Sequence, residues 1–419
     1  MIKAIKGTRD ILPQESVVWN QVEETAREIL SVYGFSEIRT PVFESTELFA
    51  RGVGEDTDIV AKEMYTFDDR DSRSLTLRPE GTASVVRAYL EHQLHRDPQI
   101  WKVYYMGPMF RRERPQKGRF RQFHQLGAEV LGSDHPAIEA EVIELLQLFL
   151  DRIGVGETEL LVNSIGSSQC RARFSQKLQV ALSEREDALC PDCRRRCRSN
   201  PLRVLDCKRD PCQPAIETLP SILEFLDEPC RLHFDRFLGH LKRRDIRFKV
   251  VPRLVRGLDY YSRTTFEITS PRLGAQNALV GGGRYDGLAE VLGGQPTHGF
   301  GFALGLERVI LLCRQAGSSP AAGQPQLFFA PLGERAFDRA SLMAREFRRR
   351  GIRCFLDFAS RTLKSSMRLA NKLQAGHVLI VGENELETGE FPLKRMSDGR
   401  QTLVREEEVI SRLGNGWGD

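Results

Sequence analysis

The chain has 419 residues, 41% hydrophobic and 28% charged, with a net charge of +4 at pH 7. That length asks for two or three domains rather than one core, and the slight basic excess is compatible with a polyanionic partner. No run of eighteen apolar residues could span a membrane, no apolar signal core follows Met1, and the nine cysteines are an odd, clustered set rather than a disulfide framework, so a cytoplasmic enzyme is expected.

Lys6 to Pro13 opens with a turn. A helix is expected from about Glu15, with Val18, Val22, Thr25, Ile29 and Tyr33 on one stripe and Gly34 as its stop. Phe35 to Pro41 reads as a strand ending at proline. Ser74 to Arg78 is a short alternating strand, and after Pro79 a helix runs to about Leu94. Glu80, Gly81 and Thr82 sit at that helix start, where free backbone amides also point.

Phe110 to Gly132 reads as a strand end, a basic loop and a returning strand. From Arg111 to Gln125 there are six Lys or Arg and one acid, Glu113. Pro115 and Gly118 turn the chain. Phe123, Gln125, Gly127 and Glu129 fall two apart and so share one strand face. Guanidiniums, an aromatic, an amide and a carboxylate on one hairpin suit a nucleotide phosphate, its base and a small polar substrate. A solvated basic hairpin is the plainer alternative. A helix follows over 136–153, with Ile138, Val142, Leu145, Leu146 and Phe149 inward, and then a buried strand over 160–165.

Residues 168–240 are helical in pattern, arginine-rich and cysteine-bearing, and read as an insertion. Cys190, Cys193, Cys197, Cys207 and Cys212 have ribbon-like spacing. The Cys190–Cys193 pair is a tight half-site, the second pair is looser, and Cys197 and Cys230 leave the ligand set open. A zinc knot and a set of reduced buried cysteines are both compatible with that spacing, and no metal is assigned.

Between 248 and 267 two strand-like runs flank Arg256 to Tyr261. Arg256, Asp259, Tyr260 and Tyr261 form a dense polar group beside buried strands, where unpartnered groups would be costly. Ala278 to Gly287 reads as a strand into a triple-glycine turn, which permits close backbone approach to a ligand. Gly299 to Arg308 leads into an apolar helix over 309–312. A dinucleotide fingerprint is rejected there for want of a βαβ context, and no Walker pattern occurs. Residues 316–325 have linker composition. Beyond them strands at 327–330, 352–357 and 377–381 alternate with helices at 335–350 and 361–374, the latter closed by Gly376, as in a small α/β domain with a mainly parallel sheet. Nine basic residues and two acids between Arg345 and Lys372 could meet RNA phosphates or form a solvated face.

The hairpin resembles motif 2 of the class II aminoacyl-tRNA synthetases. The helix, strand and Pro41 resemble motif 1, and Gly299 to Arg308 resembles motif 3. Over essentially the whole chain the resemblance is to the histidyl-tRNA synthetases, through Glu80-Gly81-Thr82, Arg256 to Tyr261 and the Gly281–Gly283 peptide. It implies an α+β fold: a class II antiparallel-sheet catalytic core over 1–167 and 241–318, a small helical insertion over 168–240, a linker over 319–325 and an anticodon-binding α/β domain over 326–419. It implies a ligase of protein biosynthesis that makes histidyl-adenylate from histidine and ATP, with Mg²⁺ on the β- and γ-phosphates, and transfers the histidyl group to tRNA(His). The implied ATP residues are Arg111, Phe123, Arg256 and Arg308, with Arg111 and Arg256 catalytic. The implied histidine residues are Glu80, Thr82, Gln125, Glu129, Tyr260 and Tyr261. Motif 1 implies a homodimer. Arg112 departs from a position where relatives often carry histidine, and Lys394 to Gly399 is an atypical form of a C-terminal stretch. Two other readings are a non-catalytic paralogue, the regulatory subunit of ATP phosphoribosyltransferase, and an inactive RNA-binding module. Retention of Arg111, Arg256, Arg308 and the C-terminal domain argues against the paralogue.

Overall fold

The computed structural model describes residues 2–55, 57–96, 99–115, 118–274, 277–315, 324–359 and 362–413. They fall into two compact units, Met1–Ser319 and Pro320–Asp419. Most of the expected linker, 319–325, lies outside the described residues.

The first unit opens with helix α1 (Pro13–Val32), which buries Val18, Trp19, Val22, Ala26, Ile29 and Leu30. Thr25 is only half-buried and spends its hydroxyl on the Gln21 carbonyl. Gly34 ends the helix at φ +78°, and the Phe35 N–H returns to the Leu30 carbonyl at 2.9 Å, a closure that favours glycine. The expected strand over 35–41 pairs only as β1 (Ser36–Glu37). Beyond it the Thr40 and Pro41 carbonyls turn to accept the buried Arg78 guanidinium instead of a ladder. Strand β2 (Phe43–Ser45), helix α2 (Thr46–Val53), β3 (Tyr65–Asp68) and β4 (Ser74–Leu77) follow, the strands forming a small antiparallel sheet in the order β2-β4-β3. Helix α3 (Thr82–Glu91) stops short of Leu94, and Gln93 takes φ +55° after it.

The hairpin is β5 (Trp101–Phe110) and β6 (Gln122–Leu131), antiparallel along ten residue pairs. Then come α4 (Pro136–Arg152), β7 (Glu159–Ser164), α5 (Ser168–Ser183), α6 (Pro191–Ser199), α7 (Gln213–Glu217), α8 (Glu228–Arg243), β8 (Lys249–Val250), β9 (Ser262–Thr269), β10 (Ala278–Arg284), α9 (Leu288–Val291), β11 (Gly299–Gly305) and α10 (Leu306–Gln315). Eight strands form one sheet in the order β1-β5-β6-β11-β10-β9-β7-β8. Only its two edge pairings are parallel. The glycines of Gly281–Gly283 lie inside β10 rather than in a turn after it, paired to both β9 and β11.

The main core packs α1, α4, α8 and α10 against the sheet through side chains such as Leu30, Phe149, Phe237, Phe266, Phe300 and Leu312. Helix α8 contributes Phe234, Phe237 and Leu241 to this core, whereas α5 to α7 close around a second, smaller one built on Phe174, Leu178, Leu182, Val204 and Ile216. A buried polar knot joins three elements of the main core. Glu139 on α4 accepts from Arg284 Nε of β10 at 2.7 Å and lies 2.7 Å from His233 Nε2 of α8. Burial opposes ionisation of Glu139, but the Arg284 charge and the His233 contact hold its carboxyl below the usual range.

The second unit contains β12 (Leu327–Pro331), α11 (Glu334–Arg349), β13 (Cys354–Leu356), α12 (Leu363–Lys372), β14 (His377–Val381), α13 (Glu383–Thr388), β15 (Phe391–Arg395), β16 (Gln401–Val404) and α14 (Glu406–Leu413). The sheet order is β13-β12-β14-β15-β16, with the first three strands parallel and the last two antiparallel. Helix α12 closes on Gln374 at φ +54°, with the Ala375 N–H on the Ala370 carbonyl. Gly376 serves instead as a close approach, since a Cβ there would sit 3.1 Å from the Gln326 carbonyl.

Candidate active site

On the sheet face opposite the main core lies a cleft with two lobes. The larger, about 420 Å³, is lined by Arg111, Glu113, Arg119, Phe123, Arg256, Glu267 and Arg308, with Asp206 and Lys208 at its margin. Alternation along β6 brings Phe123 and Gln125 to this face. Arg111 donates from Nε to the Pro79 carbonyl at 2.9 Å, and its guanidinium carbon lies 5.4 Å from the centre of the Phe123 ring. Arg308, at the first turn of α10, donates to the Ala278 carbonyl, while Glu113 pairs with Arg119 at 3.1 Å. Four arginines and the Phe123 ring therefore converge where a polyphosphate and a flat base would fit.

The smaller lobe, about 140 Å³, is lined by Glu80, Thr82, Tyr260, Tyr261, Tyr285 and Gly301, among others. Glu80 accepts the Thr82 and Ala83 backbone N–H groups at 2.8 and 2.9 Å, the free donors of the α3 start. Burial raises its affinity for a proton, partly offset by those amides. Beneath the lobe Glu129 is fully buried. It accepts from Thr82 Oγ1 at 2.7 Å and from the Tyr285 hydroxyl at 2.6 Å, and Tyr105 approaches at 3.5 Å. Burial pushes the Glu129 carboxyl up to about 8, against the lowering effect of those hydrogen bonds. A side chain on Gly301 would overlap this carboxylate. Tyr260 and Tyr261 rings stand 4.8 Å apart, and burial pushes Tyr261 up to about 12, so both are neutral hydroxyl donors at physiological pH.

Arg111, Gln125 and Arg256 line both lobes. Arg256 lies across β10 over Gly281, where any Cβ would overlap the guanidinium, and it pairs with Glu267 of β9. Burial disfavours its charge, but the Glu267 carboxylate more than restores it. The buried Gln125 Oε1 has no protein partner, an acceptor facing the junction of the lobes.

All ten residues singled out in the sequence come together here. Nine line a lobe, Tyr260 and Tyr261 included. Glu129 lies below the floor, and the Thr82 hydroxyl is committed to it. Sequence reasoning passed over Tyr285, Tyr105, Glu267 and Lys208. Tyr285 stands just beyond the glycine run, after Arg284, and Glu267 alternates two by two with Thr265 and Thr269 on β9, so both had a positional signal. Tyr105 had none: it fills the space left by Gly81 and Gly127, on separate elements.

Residues 7–186 and 210–309 match the model of the histidyl-tRNA synthetase family, and residues 326–415 match that of an anticodon binding domain. The chain belongs to the histidyl-tRNA synthetase family. Among members of that family, a histidine–tRNA ligase of Solibacter usitatus is 52% identical over 414 residues, covering 99% of both chains. One of Halothermothrix orenii is 48% identical, covering 98% of this chain and 99% of its own. The crystal structure of apo S. aureus histidyl-tRNA synthetase superposes with a TM-score of 0.83 at 35% identity, over 99% of this chain and 100% of that one. A Bacillus halodurans structure described as an ATP phosphoribosyltransferase regulatory subunit/histidyl-tRNA synthetase shares the fold at 23% identity and a TM-score of 0.66. Among the described residues no helix is long and apolar enough to cross a membrane.

Proposed function

We propose that this chain is a cytoplasmic histidine–tRNA ligase whose two-lobed cleft joins histidine to ATP and then to tRNA(His). The observation that carries the reading is the junction: Arg111, Gln125 and Arg256 line both lobes. The smaller lobe takes histidine, with Glu80 toward its ammonium group, helped by Thr82 and Gln125, and Tyr260, Tyr261 and Glu129 toward its imidazole. The larger lobe takes ATP, with Phe123 against the adenine and Arg308 and Arg111 along the phosphates.

A histidine carboxylate oxygen attacks the α-phosphorus, the bond to the β-phosphate oxygen breaks, and pyrophosphate leaves. Two anions must meet for this, so the charges of Arg256 and Arg111, held before substrate arrives, lower the barrier. Glu113 and Glu267, two of the carboxylates that line the lobe, would hold Mg²⁺ by its hard-oxygen chemistry, and the ion would supply further neutralisation of the triphosphate. In the second step a hydroxyl of the terminal tRNA ribose attacks the acyl carbon, loses its proton and displaces AMP. The paralogue reading is weaker here, because the three arginines stand together in a formed cleft.

The test is charging of tRNA(His) by the full chain, with each standard amino acid offered in turn. Charging with histidine alone supports the proposal; none, or charging with another amino acid, overturns it. A homodimer through α1 and the strand ending at Pro41 is part of this reading, supported by the exposed apolar side chains Val32 within that segment and Val42 and Phe43 directly after it. Light scattering should report twice the chain mass at micromolar concentration, and a monomer that still charges tRNA would count against it.

A further inference from the structure

Cys190, Cys193, Cys207 and Cys212 are all buried, and their four Sγ atoms lie within 4.8 Å of one another. We infer that these four thiols hold a single tetrahedral zinc ion, which staples the α5–α7 lobe to the ATP side of the cleft.

The spacing fits one ion. With Zn–S bonds of about 2.3 Å the edges of a tetrahedral sulfur cage are roughly 3.8 Å, and Cys190 and Cys207 Sγ already stand 4.0 Å apart. An iron–sulfur cluster needs its own sulfides and several irons between the thiolates, and sulfurs this close leave no room for them. The ambiguity in the sequence is resolved, because Cys197 and Cys230 fall outside the group. Cys230 instead sits with Cys170 at the α8 start, where Asp227 caps the Cys230 N–H at 2.9 Å, an ordinary helix cap.

One further contact points to thiolates. The Cys190 backbone N–H donates to Cys212 Sγ at 3.1 Å, the type of contact that stabilises a metal-bound sulfur. The charge balance is also met. Zn²⁺ binding four thiols releases four protons and leaves a net charge of −2, and α6, which carries Cys193, holds Arg194, Arg195, Arg196 and Arg198.

The local fold suits such a staple. Between Arg185 and Glu217 the chain forms only a nine-residue helix, a five-residue helix and short 3₁₀ turns, and α6 buries nothing but Cys193 and Cys197. With so little regular structure, and Leu189, Val204, Leu205, Ala215 and Ile216 as its main buried apolar side chains, the segment suits a metal cross-link. Residues 187–209, with three of the four cysteines, also fall in the gap of the family match. Cys207 is flanked by Asp206 and Lys208, which line the larger lobe. Arg203, between the two cysteine pairs, donates to the Gly257 carbonyl beside Arg256 at 2.6 Å. The metal thus fixes the backbone that supports the Arg256 segment, as a positioning element.

The full chain, purified under reductant without chelator, is analysed for bound metals by plasma mass spectrometry. About one zinc per chain is expected; iron at that stoichiometry, or no metal, overturns the assignment. Cobalt substitution should give the intense visible bands of a tetrahedral tetrathiolate, and their absence in a cobalt-loaded chain also overturns it. Cys193→Ser and Cys212→Ser should lose the zinc while Cys354→Ser, in the second unit, retains it; full zinc in either cluster variant contradicts the proposal. The wild-type stoichiometry and the cobalt spectrum decide the question even where a cluster variant does not fold.

Discussion

Arg256 can cross β10 only because residue 281 has no side chain, and the Glu129 carboxylate can sit under the smaller lobe only because residue 301 has none. At this scale the sequence was informative about charged residues near glycines and silent about what lay beneath them. Arg111, Arg256 and Glu80 could be picked out from basic runs, a dense polar segment and a helix start. Tyr105 could not, because its role depends on packing against glycines far away in the chain. Glu129 carries a testable consequence. Its folded value of about 8 lies above the ordinary 4.5. The stabilisation from its neutral form is therefore full below about 4.5 and is lost as pH rises through about 8. Glu129→Gln keeps the shape and stays neutral. Between about pH 5 and about pH 9 the wild type should lose on the order of a few kcal/mol more stability than the variant, by urea denaturation at each pH. Parallel pH profiles would show that Glu129 is ionised in the fold.

At the scale of elements, hydrophobic periodicity and turn residues located α1, α4, the β5–β6 hairpin and the β12–β14 strands to within a few residues. The misreadings have physical causes. Residues 40 and 41 leave the sheet because Arg78 claims their carbonyls, a tertiary demand with no local signal. The Gly281–Gly283 run looked like a turn, but it is a strand whose missing side chains admit Arg256, Phe266 and the β11 backbone. Helix α8 reads like its arginine-rich neighbours, yet Phe234, Phe237 and Leu241 place it in the main core. Glu139 ties α4, α8 and β10 together, so Glu139→Ala should strip the buried Arg284 of its nearest carboxylate. The expected loss is ~3–5 kcal/mol in urea unfolding of the full chain. A loss under about 1 kcal/mol would show that Asp286 and the Ser133 carbonyl, both 3.0 Å from Arg284 Nη1, suffice for it.

At the scale of the molecule, the two units have separate cores, and every residue assigned to the cleft lies in the first. The second unit carries the arginines of α11 and its following loop. Truncation within 316–323 should therefore leave histidine-dependent pyrophosphate exchange largely intact. It should lower tRNA charging, with a shallower dependence of tRNA binding on salt as phosphate contacts are lost. Abolished exchange in a folded fragment would mean that the second unit contributes to the cleft, and an unchanged salt slope would make those arginines a solvated face.

The central claim is that charges aimed at the junction of the two lobes drive adenylate formation. Its most direct measurement is ATP–pyrophosphate exchange by the full chain and by Arg256→Ala, each with and without histidine. The wild type should exchange only when histidine is present. The variant should stay folded, bind histidine and exchange roughly 10²–10³-fold more slowly, as expected for loss of one aimed group worth ~2.7–4 kcal/mol. Exchange that ignores histidine, or a near-normal rate in Arg256→Ala, would contradict the account.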